Sequence, residues 1–267
     1  MSVIQPSLIL PNRVRTDSPE EVTVRSVDEV APGTVGLREG QIERIWKSVT
    51  YLYMSGVHPA ISLCIRRRGQ VVLDRTIGHA RGNAPGDSEE RVKVLATPET
   101  AFNLFSCTKM ITAMLIHSLA EKGKLHYEDR VVDYLPNFGS HGKDAITIRH
   151  LLTHRAGIPF APPADAPLDI ISDSAAVVEL LSEMEPEYTP GKTVAYHALT
   201  SGFVLAEIAR KITGEDIRTL LDKVVRKRLG FRFFNYGISP DEMDIVALNS
   251  FTGMAPRGPV YKVLKRA

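Results

Sequence analysis

Cysteine is scarce in this chain of 267 residues: only Cys64 and Cys107 occur, both inside apolar stretches. Two thiols cannot build the disulfide framework of a small secreted domain, so a reducing compartment fits best. Charge of one sign is lacking too. Lys+Arg 33 against Asp+Glu 31 leaves a net +2, too weak a field to argue for nucleic acid or an anionic membrane. Long hydrophobic runs are also absent; no segment approaches the roughly 18 uninterrupted apolar residues of a membrane span. The N-terminal "MSVIQPSLILPNRVRTDSPEEVTVRSVDEV" has no basic n-region leading into a long apolar h-region. The expectation is a cytoplasmic protein with a small-molecule substrate, no nucleic-acid partner and no membrane span. With 43% hydrophobic and 24% charged residues, the chain can bury a core as one large domain or two small ones.

The coarse organisation follows from periodicity and breakers. Residues 1–36 read as a partly disordered N-terminal leader. Residues 37–105 read as the start of an α/β domain. Ile42, Ile45, Trp46 and Val49 recur at helical spacing within Leu37–Met54, and "ISLCIRRRGQVVLDRTIGHA" is a β-hairpin turning at Gly69. The Arg66-Arg67-Arg68 run sits at that hairpin tip as a solvated strand end, not a nucleic-acid patch. "RGNAPGDSEERVKV" reads as a mobile surface loop. Residues 106–230 are mainly helical, with helices expected over 106–122, 148–154, 174–184, 199–212 and 215–229. The Pro-rich "GIPFAPPADAPLDI" between them is a loop. Residues 231–267 read as the start of a C-terminal segment that stops in mid-structure. β first and helices afterwards give an α+β fold class.

Ser106-Cys107-Thr108-Lys109 stands where a polar lead-in becomes a long apolar helix. Residues three apart on a helix share a face, so the lysine can reach the serine. A serine hydroxyl is a weak nucleophile that needs a base beside it, and a lysine can serve when burial lowers its pKa. The competing reading is an N-cap serine with a surface lysine one turn on. Spacing does not decide, because Ser140-x-x-Lys143 and Thr189-x-x-Lys192 repeat it in Gly- or Pro-containing loops; both are read as surface turns.

Four segments in order resolve the ambiguity. "GVHPAISLCIRRRGQVVLDRTIGHA", "PETAFNLFSCTKMITAMLIHSLAEKGKLHYEDRVVDYLPNF", "ITIRHLLTHRAGIP" and "TPGKTVAYHALTSGFVLAEIARKITGEDI" together resemble the serine β-lactamase-like hydrolases, in the branch of class C β-lactamases and family VIII carboxylesterases. The resemblance implies a β-lactamase-like fold, with an antiparallel sheet, flanking helices and a helical domain. It implies Ser106 as nucleophile, Lys109 as its proton partner and Tyr196 as second general base, with no cofactor and no metal. The implied chemistry is acyl transfer through an acyl-enzyme on a small ester or amide. Phe105, His197 and Ala198 are the expected substrate-binding residues.

Departures from the family pattern refine these expectations. Tyr196-His197-Ala198 stands where the β-lactamase branch usually has Tyr-x-Asn, and losing the amide favours esters over β-lactams and peptides. The third family motif, a basic residue before Thr-Gly, is missing; Phe251-Thr252-Gly253 is coincidence. The C-terminal third, whose strands complete the sheet, is expected to be lacking, so that an open sheet edge invites self-association. Alternatives are a β-lactamase or D-Ala-D-Ala-peptidase-like enzyme, or a truncated, catalytically weak homologue that binds without turnover. His150 and His154 have metal-like spacing, but no third ligand accompanies them. His154 is expected to hydrogen-bond within its own turn, His197 either to shuttle protons beside Tyr196 or to face solvent while lining the pocket, and Cys107 to be a small buried residue.

Overall fold

A computed structural model describes residues 12–159 and 168–253. They form two compact units: one holds the described residues through Asn103 and from Ser239 onward, the other Leu104–Ile238.

The first unit contains helix α1 (Pro19–Val22), strand β1 (Thr23–Arg25), helix α2 (Glu39–Met54), and strands β2 (Ala60–Arg67), β3 (Gln70–Arg81) and β4 (Val94–Leu95). The sheet is antiparallel, ordered β1-β3-β2, with β4 pairing β3. Arg68 and Gly69 both take positive φ, 52° and 79°, which gives the two-residue turn whose twist suits a hairpin. Ile61, Leu63 and Ile65 alternate along β2 and pack with Val72, Leu73 and Ile77 of β3 against Ile42, Trp46 and Tyr53 of α2. Of the stripe expected on α2, Ile42 and Trp46 are buried and Val49 packs against them, whereas Ile45 is exposed.

The expectation of a partly disordered leader is corrected over residues 12–36; residues 1–11 lie outside the described ones. Val22 and Val35 are buried in the core with α2, and β1 pairs with β3. Glu29 accepts from Arg75 Nε at 2.8 Å and Nη2 at 2.9 Å. A buried guanidinium needs such a partner, so the polar "leader" is held by a charge it neutralises. The boundary at residue 231 also moves. Residues 239–253 return to the first unit, where Ala247 N donates to Ala101 O at 2.9 Å and Leu248 N to Ala80 O at 2.8 Å. In that return Thr252 Oγ1 donates to Val57 O at 2.6 Å while Phe251 is exposed.

The second unit is helical: α3 (Thr108–Glu121), α4 (Ile148–Leu152), α5 (Ser174–Glu183), α6 (Thr200–Thr213) and α7 (Ile217–Leu221), the last passing through a π-turn over Asp222–Arg226 into α8 (Lys227–Leu229). Its core joins Leu115, Ile116, Phe138, Leu151, Leu181 and Val204. Thr147, Asp173 and Asp216 cap α4, α5 and α7 by accepting from first-turn N–H groups. These helices begin and end within a few residues of the expected bounds.

The expectations for Lys143 and Cys107 fail in this unit. Ser140-x-x-Lys143 is not a surface turn, because Lys143 is 0% exposed. Its Nζ donates to Ser140 O at 2.8 Å, to Ser182 O at 2.9 Å and to Met184 O, so it closes the carbonyl end of α5, which has no internal partners. Cys107 is exposed, not buried; it opens a stripe on α3 continued by exposed Met110 and Met114. Of the Pro-rich loop, residues 160–167 lie outside the described ones. Among the described residues no helix is long and apolar enough to cross a membrane.

Candidate active site

Ser106 sits in a short 3₁₀ turn, Phe105–Cys107, that feeds directly into α3. Phe105 has φ 45°, a left-handed conformation that strains any residue with a Cβ. The kink lets Ser106 stand at the exposed lip of the helix, with Lys109 one turn on and only half-buried. Lys109 Nζ donates to Ala198 O at 2.6 Å and to Ser106 Oγ at 3.4 Å. The carbonyl fixes the ammonium; the serine receives its remaining reach.

Tyr196 completes the group from the irregular segment between α5 and α6. Its hydroxyl donates to Ser106 Oγ at 2.6 Å, and Lys109 Nζ lies 4.9 Å from its ring centroid. Residues 154–158 lay that segment out. Glu187 N donates to Gly157 O at 2.8 Å, Gly191 N to Arg155 O at 2.8 Å and Ala195 N to His154 O at 3.1 Å. His197 N donates to His154 Nδ1 at 3.2 Å and Ile158 N to His197 Nε2 at 3.1 Å. Thr200 Oγ1, at the head of α6, donates to Ile158 O at 2.7 Å. Gly191 explains why the Thr-Pro-Gly-Lys turn fits here: at φ 83°, a Cβ would lie 2.9 Å from His150 Nε2. Thr189 and Lys192 are exposed, so the tetrad is the surface turn expected, held down through Gly191.

The electrostatics favour proton transfer. The Ser106 hydroxyl and then the Lys109 ammonium beside it hold the Tyr196 phenol below the usual tyrosine range. With a neutral phenol the tyrosine donates; with a phenolate the same contact reverses and Ser106 donates. His197 is locked as one tautomer, because Nε2 accepts from Ile158 N while Nδ1 lies 2.6 Å from Ala195 O. Burial pushes its pKa down.

The structure thus gathers Ser106, Lys109 and Tyr196. Phe105 is exposed and adjacent to Ser106, and Ala198 contributes its backbone oxygen to Lys109. His197 does not fit a substrate-contacting role: it is 0% exposed and both ring nitrogens are occupied by backbone. His154 bonds beyond its own turn, to His197, and His150 exchanges hydrogen bonds with Thr147. Among the described residues no cluster could hold a metal ion. Sequence reasoning missed residues 154–158 as the template for Tyr196; the visible signal was the unbroken "THRAGIP", whose glycine sits at φ 83° against Tyr188 O.

Comparison with known proteins finds relatives of this chain. Esterase/beta-lactamase LipL of Mycobacterium tuberculosis is 35% identical over 142 residues, covering 53% of this chain and 32% of that protein. A penicillin-binding protein homologue from Caulobacter crescentus superposes with a TM-score of 0.68 at 29% identity, covering 78% of this chain and 53% of its own. A family VIII carboxylesterase superposes with a TM-score of 0.67 at 27% identity, covering 77% and 54%. The chain spans about half, or less, of the length of these relatives. The family model described as Beta-lactamase matches residues 41–259. With that match extending over most of its sequence, this chain belongs to the Beta-lactamase family.

Proposed function

We propose that this chain carries the acyl-transfer centre of a serine hydrolase acting on small carboxylic esters. The observation that carries the reading is the 2.6 Å contact between Tyr196 Oη and Ser106 Oγ with Lys109 beside both. In the proposed reaction Ser106 Oγ attacks the ester carbonyl as its proton passes to the Tyr196 phenolate. The carbonyl oxygen becomes an oxyanion, for which Ser106 N–H, in the turn that enters α3, is one donor. Collapse breaks the bond to the alkoxide, which leaves with the proton from Tyr196, and Ser106 keeps the acyl group. Water, deprotonated by the same Lys109/Tyr196 pair, releases the acid and restores the serine.

Ester preference is supported by Ala198, which offers a methyl where an amide-recognising site needs a hydrogen-bonding side chain. Exposed apolar side chains stand within two residues in sequence, Leu104 and Phe105 before Ser106 and Val194 before Tyr196. Such surroundings suit a short apolar acyl chain. LipL and the family VIII carboxylesterase carry esterase in their names. Labelling with a fluorophosphonate, followed by peptide mass mapping, tests the assignment. The adduct is expected on Ser106 and absent from Ser106→Ala, and p-nitrophenyl butyrate is expected to turn over faster than a cephalosporin. An adduct on another residue, or a cephalosporin as the better substrate, would overturn the reading.

A further inference from the structure

We propose that His154 is a positioning residue for acyl transfer, its Nδ1 and ring together setting the Tyr196 phenol on Ser106. The inference rests on the assignment of Ser106, Lys109 and Tyr196 as the reacting group.

Three contacts converge on Tyr196 from this one residue. The residue before it is held by Ala195 N donating to His154 O at 3.1 Å. The residue after it is held by His197 N donating to His154 Nδ1 at 3.2 Å. The tyrosine ring itself rests against the imidazole, centroids 5.0 Å apart and planes tilted by 56°. Tyr196 is half exposed, so core packing does not fix its position. An exposed phenol has rotamers to choose among, and the entropy of choosing opposes any single placement. His154 removes that freedom by gripping the backbone on both sides and giving the ring a wall.

The backbone of His154 supports a site role. Its φ is 58°, a left-handed conformation that strains a residue with a Cβ and that Gly or Asn adopts more readily. That strain aims Nδ1 at the His197 amide. A lone pair accepts there only while Nδ1 is unprotonated, so the imidazole proton resides on Nε2. Burial, and then the Lys109 charge, push its pKa down and favour the neutral ring. The titratable groups that face it are Lys109, the Tyr196 phenol and the His197 imidazole, the last stacked at 5.9 Å; His150 and Arg155 flank it in sequence. None of these supplies a negative charge while the phenol is neutral, so protonation at Nδ1 would set one donor against another and release the grip.

Two substitutions separate the lone pair from the backbone strain. His154→Asn retains an acceptor near the Nδ1 position and tolerates the positive φ; His154→Gly relieves the φ and removes both acceptor and ring. The first readout is the rate of Ser106 labelling by a fluorophosphonate. The second is the ultraviolet titration of the Tyr196 phenol, taken as the difference from Tyr196→Phe, which needs no turnover. His154→Gly is expected to label on the order of 10²-fold more slowly, the scale of a mispositioned base, and its Tyr196 to titrate higher, nearer the ordinary value of about 10. His154→Asn is expected to recover labelling to within about tenfold of the parent chain and to keep Tyr196 titrating low. Labelling of His154→Gly at the parental rate, or a His154→Asn as slow as His154→Gly, overturns the proposal. Should His154→Gly fail to fold, the Tyr196 titration in His154→Asn still decides, since a phenol returned to about 10 there refutes it. Failure of the underlying assignment looks different: the parent chain itself would carry the probe away from Ser106.

Discussion

Tyr196 Oη and Ser106 Oγ, 90 residues apart in sequence, meet at 2.6 Å. Tyr196 is 55% exposed, so the contact contributes little packing; in the proposed reaction its part is proton transfer. Tyr196→Phe keeps the ring against His154 and removes only the hydroxyl. Acylation by an activated ester, measured as the pre-steady-state burst, is expected to slow on the order of 10²-fold or more, while the denaturation midpoint stays put. Unchanged acylation would return Tyr196 to a packing role.

The parts of this arrangement that were legible in the sequence share a cause. Ser106 and Lys109 are three apart at the head of an apolar helix, and α2 and the β2–β3 hairpin announce themselves through periods of 3.6 and 2. What local patterns cannot carry is the long-range pairing of irregular backbone. Nothing in the sequence near residue 24 announces that β1 will join β3, because its hold is Glu29 on the distant Arg75. Burial of His197 and Lys143 was illegible for the same reason. Each serves carbonyls or amides of a remote segment, and a polar side chain looks like surface until its buried partners are known.

Lys143 and Ser140 offer a contrast between two members of one spacing pattern. Lys143→Met keeps the aliphatic stem but leaves the carbonyls of Ser182 and Met184 without the Nζ donor, while Ser140 O still accepts from the backbone N–H of residue 143. A buried acceptor left unpaired costs about 1–3 kcal/mol, so urea denaturation is expected to show a loss on the order of 3 kcal/mol. Ser140→Ala removes one exposed hydroxyl that donates to Asn137 O at 3.3 Å and is expected to shift the midpoint by under about 0.5 kcal/mol. Equal effects from the two would refute the buried role of Lys143.

Gly191→Ala tests whether the docked turn matters to chemistry it never touches. The added methyl would meet His150 Nε2 at 2.9 Å on a backbone with φ 83°, so either the turn or the histidine must move. The loss in stability is expected to be about 1–3 kcal/mol. Because Gly191 N anchors on Arg155 O in the same run of contacts that leads to Ala195 and Tyr196, Ser106 labelling should slow as well. Gly202, which has open space around its Cβ position and lies in the first turn of α6, is the control. Gly202→Ala should be neutral or slightly stabilising by helix propensity, and a Gly191→Ala that matches it in both stability and labelling would sink the argument.

Acid should loosen the second unit before its carboxylates titrate. His150, His154 and His197 are each pushed below the ordinary histidine range, burial being the largest cause in all three. Unfolded, each binds a proton near pH 6.5. Above that value folded and unfolded chains are both neutral at these sites, and stability does not depend on them. As pH falls through about 6.5 the unfolded chain takes up protons that the folded chain refuses, so stability declines, by up to about 1.4 kcal/mol per pH unit for each histidine. The decline ends once pH drops below the lowered folded-state pKa values, where folded and unfolded chains are protonated alike. Lowered carboxylates such as Asp216, held down chiefly by the Thr219 N–H, add a second loss only at more acid pH. Guanidinium midpoints taken between about pH 7.5 and 5 should therefore fall steadily, with net proton uptake on unfolding across the same window. A flat midpoint through that range would mean that these rings are protonated within the fold, and would contradict the lone-pair contacts to Thr147 N, His197 N and Ile158 N on which the placement of Tyr196 depends.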